Sequence, residues 1–223
     1  MQQSSAERHR RTQAQRRDTA RTAILETAVQ LLASGGYASM TLADVGERAG
    51  YSRSLATHYF GSKPKLLAAV IEYVPTESPP RAFADAAPGM ERIEAEINGL
   101  FANLRAHPWW PRAYIVIAHE AATSLPELQP AIHRQNVAFR RRIEVALGEA
   151  IELGSIDPEL DVVSASVAIM AMLRGVAWEW FTDPSLDLAA CERAVLTQAR
   201  ALATPRSRRR ASAGAQVDGR PKV

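Results

Sequence analysis

The sequence predicts an all-α fold: an N-terminal helix-turn-helix unit followed by a longer helical domain. Three observations predict it. Apolar residues recur at helical spacing from Ile24 onward, the stretch Thr41 to Lys65 is broken once by Gly50-Tyr51, and every later break carries helix-stop chemistry. An alternating strand pattern, an internal repeat and a Gly-rich phosphate loop are all missing from the sequence.

The first helix is expected from Ile24, Leu25, Ala28, Leu31 and Leu32, with Gly35-Gly36 ending it and Tyr37 anchoring the turn into the core. In TLADVGERAGYSRSLATHYFGSKPK, the Thr41 hydroxyl is placed to cap the second helix. Asp44, three residues on, is placed to return the bond in a capping box. Leu42, Val45 and Ala49 fall on one face of that helix. Gly50 sits where it needs a left-handed stop, and Ser52 is expected to cap a third helix running to about Tyr59. A fourth starts at Ser62 and runs to about Tyr73, with Pro64 tolerated in its first turn. In such a unit the second helix of the pair lies in the major groove and the first crosses the backbone. The expected chemistry is therefore DNA reading.

The pattern T-x-x-D-V-x-E-R-A-G-x-S-R followed by Y-F-G-S-K-x-x-L resembles the N-terminal domain of the TetR family of bacterial transcriptional regulators, over roughly Asp18 to Tyr73. Beyond it the chain is similar in length and helical character only. Two positions depart from the pattern. Gly46 stands where the family more often has Ala and is expected to loosen the scaffold helix; Thr57 stands where many members have a Tyr that touches the DNA backbone.

The expected organisation is a disordered basic arm over 1–17, the DNA-binding domain over 18–74 and a linker or mobile loop over 75–89. A helical effector-binding and dimerisation domain over 90–203 and a disordered basic tail over 204–223 complete it. In the fourth segment the pattern predicts helices at 90–106, 111–124, 127–153, 159–182 and 186–203. The net charge of +3 is unevenly distributed: residues 1–21 hold six arginines against two acids, and 204–223 six basic residues against one acid. The N-terminal arm suits phosphate or minor-groove contact, or a solvated tail; the C-terminal tail lacks the apolar periodicity of a core and reads as disordered.

Among base-reading candidates Arg53 comes first, because a guanidinium bonds O6 and N7 of guanine together. Ser52, Ser54, Thr57 and His58 share its short helix. The resemblance gives Tyr59 a phosphate contact or the aromatic end of the helix, while packing beside Phe60 in the core is the alternative. Lys63 and Lys65 occupy a helix first turn, where the macrodipole disfavours cations and a phosphate would reverse the penalty; exposed lysines unrelated to DNA are the alternative. Thr41 both caps its helix and, by the resemblance, abuts a phosphate.

Helix 159–182 is apolar on nearly all sides, which requires burial of most of its surface. The resemblance implies a homodimer joined by a four-helix bundle from 159–182 and 186–203, with Ala165, Ala168, Ala171 and Gly175 permitting close approach; the central core helix of a monomer is the alternative. Trp109, Trp110, Tyr114, His119, Glu120, Phe139, Met170 and Trp178 are candidates for an apolar effector pocket or plain core. By the resemblance, an effector there changes the tilt of two DNA-binding heads. The competing reading is a dimeric DNA-binding protein with no small-molecule ligand, whose C-terminal half serves dimerisation or protein docking.

Enzyme chemistry is not expected. His119-Glu120 lacks the second His of an HExxH helix because position 123 is Thr, and no nucleophile elbow, dinucleotide fingerprint or P-loop occurs. No cofactor or metal is expected. Cys191 is the single cysteine, so an intramolecular disulfide is excluded, and a buried inert thiol is expected ahead of a redox sensor. With no apolar run of the ~20 residues that span a bilayer and no signal-peptide core, a cytoplasmic protein without membrane contact is expected.

Overall fold

The computed structural model describes residues 13–73 and 78–203. These form ten α-helices and no strand: α1 Gln13–Gly35, α2 Leu42–Arg48, α3 Arg53–Phe60, α4 Lys63–Tyr73, α5 Ser78–Asp85, α6 Met90–Ala106, α7 Trp109–Thr123, α8 Gln129–Glu152, α9 Val162–Thr182 and α10 Leu188–Ala203. A 3₁₀ turn, Pro126–Leu128, precedes α8. The chain divides into two compact units. Of the described residues, one comprises 13–73 with 113–131 and the other 78–112 with 132–203, so α7 and α8 each contribute to both.

In the first unit α1 packs against α2, α3 and α4, and α4 also meets the 3₁₀ turn. Ile24, Leu25, Leu32, Met40, Val45, Leu66, Leu67 and Ile71 form its dry interior. Tyr37, expected to anchor the α1–α2 turn in the core, is only half-buried. Its ring and carbonyl instead receive Lys63, which satisfies the polar groups of a turn that the core itself could not. The basic arm expected to be disordered over 1–17 is helical from Gln13, which extends α1; its residues 1–12, like the tail 204–223, lie outside the described residues.

The second unit buries Ile93, Ile97, Phe101 and Leu104 of α6, Ile143 and Leu147 of α8, Ile169 and Leu173 of α9, and Val195 and Ala199 of α10. Within the span expected as a linker, Ser78–Asp85 forms α5, with Pro79 and Pro80 in a first turn that needs no intrahelical donor. Helix α5 packs on α6, and the Arg92 guanidinium of α6 lies 5.5 Å from the Phe83 ring centre. Side-chain carboxylates tie α6 to α8. Glu149 accepts from the Gly89 amide at 3.0 Å and pairs with Arg92; Glu96, only 1% exposed, pairs with Arg142.

Helix α9 begins at Val162 because Asp161 caps it, accepting from the amides of Val163 and Ser164 at 3.1 Å and from the Ser164 hydroxyl at 2.6 Å. Those bonds, the hydroxyl's first, hold the Asp161 carboxyl below the usual carboxylate range. Helix α9 is long and apolar enough to cross a membrane by length and composition alone, and Arg174 and Glu179 interrupt its apolar run. Its Ala165, Ser166, Ile169, Met170, Leu173 and Ala177 are spent instead on the core of the second unit. Cys191 of α10 is half-buried rather than fully enclosed, off the face that carries the buried Leu188, Val195 and Ala199.

Candidate nucleic-acid interface

Helix α2 is set by its ends. Thr41 Oγ1 accepts from the Asp44 amide at 3.1 Å, the Asp44 carboxylate accepts from the Thr41 amide at 3.2 Å, and Thr41 Oγ1 donates its proton to that carboxylate at 2.6 Å. The capping box forms as expected, and the hydroxyl's hydrogen bond lowers the Asp44 pKa. One consequence bears on DNA. The single hydroxyl proton of Thr41 is committed to Asp44 and one lone pair to the Asp44 amide, so in the free protein one lone pair remains for other partners.

The turn into α3 is closed by two backbone bonds, Tyr51 N–H to Gly46 O and Gly50 N–H to Glu47 O, both 3.0 Å. This is a Schellman arrangement, and Gly50 takes the φ of +80° that it demands. Gly46 serves a different need. A Cβ at that position would lie 2.8 Å from the Ser52 carbonyl oxygen. The expectation that Gly46 loosens the scaffold helix therefore gives way: its bare Cα lets the α2 backbone approach the start of α3. Gly46→Val is expected to destabilise the protein by roughly 1–3 kcal/mol through overpacking against an unyielding backbone, visible in urea melts, and to weaken DNA binding by displacing α3. An unchanged melting midpoint would contradict the close-approach account.

On α3, Ala56 and Phe60 are buried while Arg53, Ser54, Thr57 and His58 are exposed. The i, i+4 spacing puts Arg53 over Thr57 and Ser54 over His58, so one short helix separates an inward apolar edge from an outward polar one. Ser52 was expected to cap α3, but its side chain makes no cap bond; its hydroxyl lies 3.3 Å from that of Ser54. The Leu55 amide is met by the Ser52 backbone carbonyl at 3.0 Å instead, which leaves that hydroxyl outward. Tyr59 is half-buried, edge-on to Phe60 at 6.3 Å and 5.8 Å from the His58 ring. Arg21 of α1 stands 5.9 Å from the Phe60 ring centre.

The two lysines of α4 part company. Lys65 is exposed in the first turn. Lys63 turns inward: its Nζ donates to the Tyr37 carbonyl at 2.5 Å and lies 3.7 Å from the Tyr37 ring centre. Desolvation lowers its pKa, opposed by the Glu120 carboxylate. Sequence reasoning missed this partner because a backbone carbonyl carries no residue signature. It also missed Glu47, whose carboxylate forms an exposed ion pair with Arg53. The signal available was the spacing, since a Glu in the last turn of the first helix lies across the tight turn from the first residue of the second.

The eight pocket candidates are divided between the two units. Tyr114, His119 and Glu120 fall in the first unit and Trp109, Trp110, Phe139, Met170 and Trp178 in the second. Trp110 and Met170 are buried, His119 is exposed, and Glu120 accepts from the Ser124 hydroxyl. Of the small residues on α9, Ala165 faces its own core and Ala168 is half-buried, whereas Ala171 and Gly175 are exposed. Those two continue a stripe with Val163, Val167 and Trp178, which are 59%, 42% and 54% exposed. Spacings of four, four, four and three keep the stripe on one helical face. Trp178, a pocket candidate from the sequence, stands on this exposed face.

Comparison with known proteins locates the chain. The family profile for bacterial regulatory proteins of the tetR family matches residues 24–70, from the middle of α1 into the last turn of α4. The chain is 27% identical over 190 residues to a probable HTH-type transcriptional regulator, ArpR, of Pseudomonas putida, covering 80% of this chain and 88% of that protein. It is 26% identical, with the same coverage, to the HTH-type transcriptional regulator TtgR, also of Pseudomonas putida. Among solved structures, a TetR-family regulator from Rhodococcus sp. superposes with a TM-score of 0.72 at 21% identity, covering 84% of this chain and 100% of the other. The regulator FadR of Bacillus subtilis in complex with stearoyl-CoA superposes with a TM-score of 0.70 at 24% identity, covering 80% and 96%.

Proposed function

The chain belongs to the TetR family of bacterial transcriptional regulators, and we propose that it is a cytoplasmic repressor that binds a palindromic operator as a homodimer and leaves it on binding a small apolar or aromatic effector. The observation that carries the DNA-reading part is the outward edge of α3, with Arg53 at its start and Ser54, Thr57 and His58 behind it. Such a helix enters the major groove N-terminus first. Lys65, Arg48 and the exposed arginines of α1, Arg16 and Arg17, supply sequence-independent attraction to phosphates. Lys63 joins them only by giving up the Tyr37 carbonyl. The domain scheme follows: 18–74 as the reading head and 90–203 as the dimerising and effector-responsive part.

The pairing surface is the exposed stripe of α9, since a row of apolar side chains in water is stabilised by a second apolar face. For the effector, the support is the aromatic side chains of the second unit together with the stearoyl-CoA held by the Bacillus subtilis relative of the same fold. An effector acts only through different affinities for the DNA-competent and incompetent states.

Selection of bound duplexes from a random library by the full-length protein tests this reading. A palindrome with half-sites about one helical turn or a multiple apart is expected; an isolated half-site would defeat the dimer, and no enrichment would defeat sequence reading. Arg53→Ala is expected to erase the preference for the selected duplex over a scrambled one. Lys65→Ala is expected to weaken both duplexes alike and to lower the salt slope by about one unit. Thermal shifts against a panel of acyl thioesters and aromatic compounds test the effector, and a panel without any shift favours the ligand-free reading.

A further inference from the structure

Arg53 opens α3 on a long, flexible side chain, yet its guanidinium is held at two points. Nε donates to Glu47 Oε2 at 3.0 Å and Nη2 to Glu47 Oε1 at 3.3 Å. The two residues face each other across the Gly50 turn, one in the last turn of α2 and the other in the first of α3. Both side chains are well exposed, 73% and 57%. An ion pair so open to water does little for stability. Its consequence lies in orientation.

A guanidinium carries five N–H groups: one on Nε and two on each terminal nitrogen. The carboxylate of Glu47 takes the Nε hydrogen and one on Nη2, which is the side-on edge. Both hydrogens of Nη1 and the second of Nη2 are left, and the Nη1–Nη2 edge is itself a fork matching O6 and N7 of guanine. The two partners therefore use different edges of one planar group. Base contact does not require the Glu47 bonds to break.

We propose that Glu47 is a positioning residue for sequence recognition: it clamps Arg53 by the Nε–Nη2 edge and so presents the Nη1–Nη2 edge to a guanine. The clamp rests on the reading of Arg53 as a base contact. It carries a second consequence. A carboxylate beside DNA repels phosphates, so Glu47 lowers affinity for any duplex while raising discrimination among duplexes. These opposite signs separate a positioning role from a merely structural one.

The test uses the full-length chain as wild type, Glu47→Ala, Glu47→Gln, Arg53→Ala and the Glu47→Ala/Arg53→Ala double variant. Fluorescence anisotropy reads binding to labelled duplexes of three kinds: one selected from a random library by the wild type, a series of that duplex with each half-site guanine changed in turn to adenine, and a scrambled control. Glu47→Ala is expected to lower the selected-to-scrambled affinity ratio about 10-fold, part of the discrimination that a bidentate Arg–guanine contact provides. Affinity for the scrambled duplex stays level or rises. Glu47→Gln, which keeps one acceptor, falls between. The loss should concentrate at the guanine to which Arg53→Ala becomes indifferent, and Glu47→Ala should change the ratio no further once Arg53 is gone.

If Arg53→Ala leaves the ratio intact, the reading of Arg53 itself fails. If Arg53→Ala collapses the ratio while Glu47→Ala leaves it unchanged, the clamp fails alone. A ratio that Glu47→Ala still lowers in the Arg53→Ala background would overturn the clamp in favour of direct contact by Glu47, as with a cytosine amino group. Equal thermal unfolding of Glu47→Ala and wild type confirms that the readout is recognition.

Discussion

On the proposed α9 pairing, Val167→Asp is expected to run as a monomer where the wild type runs as a dimer, and to lower affinity for the selected duplex by on the order of 100-fold. Val167 stands in the middle of the exposed α9 stripe, between Val163 and Ala171, and is 42% exposed in the single chain. A carboxylate there meets water in the monomer at little cost. In a face-to-face pairing the same carboxylate, and its two-fold copy, would lose water without gaining a counter-charge, which is among the more costly substitutions at an interface. Binding to one half-site should survive, because α3 lies outside the substituted helix. The penalty falls on the second half-site, which no longer gains from being tethered. Size-exclusion chromatography with light scattering and anisotropy on full and half palindromes make the two measurements. A Val167→Asp protein that remains dimeric, or a wild type that is monomeric at micromolar concentration, would remove the α9 pairing and with it the two-fold operator.

The helices were legible because their punctuation is local. The Thr41–Asp44 box and the left-handed Gly50 follow from neighbouring residue types, and the apolar periodicity of α6 to α10 gives boundaries within about three residues of those observed. Where the reading slipped, the deciding partner lay elsewhere in the chain. Gly46 looks like a weak helix residue until the Ser52 carbonyl is placed against it, and no residue type announces that the Lys63 ammonium meets the Tyr37 carbonyl. Helical spacing predicted that α9 must be buried on most sides, but not which side faced its own core. Ala165 and Ala171, equivalent as small residues, ended on opposite faces. The place of Arg53 at the start of α3 was legible from the sequence, whereas the Glu47 carboxylate that pairs with it required the turn to be folded first.

Arg142→Ala is expected to destabilise the second unit by about 3–5 kcal/mol. Glu96 sits on α6 with 1% of its surface exposed, among Ile93, Ile97 and Phe101. Its carboxylate survives there because Arg142 of α8 reaches it with Nε at 3.1 and 3.2 Å from the two oxygens and with Nη2 at 2.5 Å from Oε1. The guanidinium also lies 5.1 Å from the Phe139 ring centre, so its apolar face is covered while its edge is bonded. Removing Arg142 strands a carboxylate with no water and no partner. Removing the acid instead is milder, because Arg142 keeps 30% of its side-chain surface and can turn to solvent. Glu96→Leu should therefore cost less than Arg142→Ala, and Arg142→Ala combined with Glu96→Leu should recover part of the loss by leaving an apolar contact where an orphaned charge had been. Urea denaturation of the three variants measures the order. If Arg142→Ala proves no worse than Glu96→Leu, burial of the carboxylate does not set the cost, and the tie between α6 and α8 rests on the apolar contacts around it.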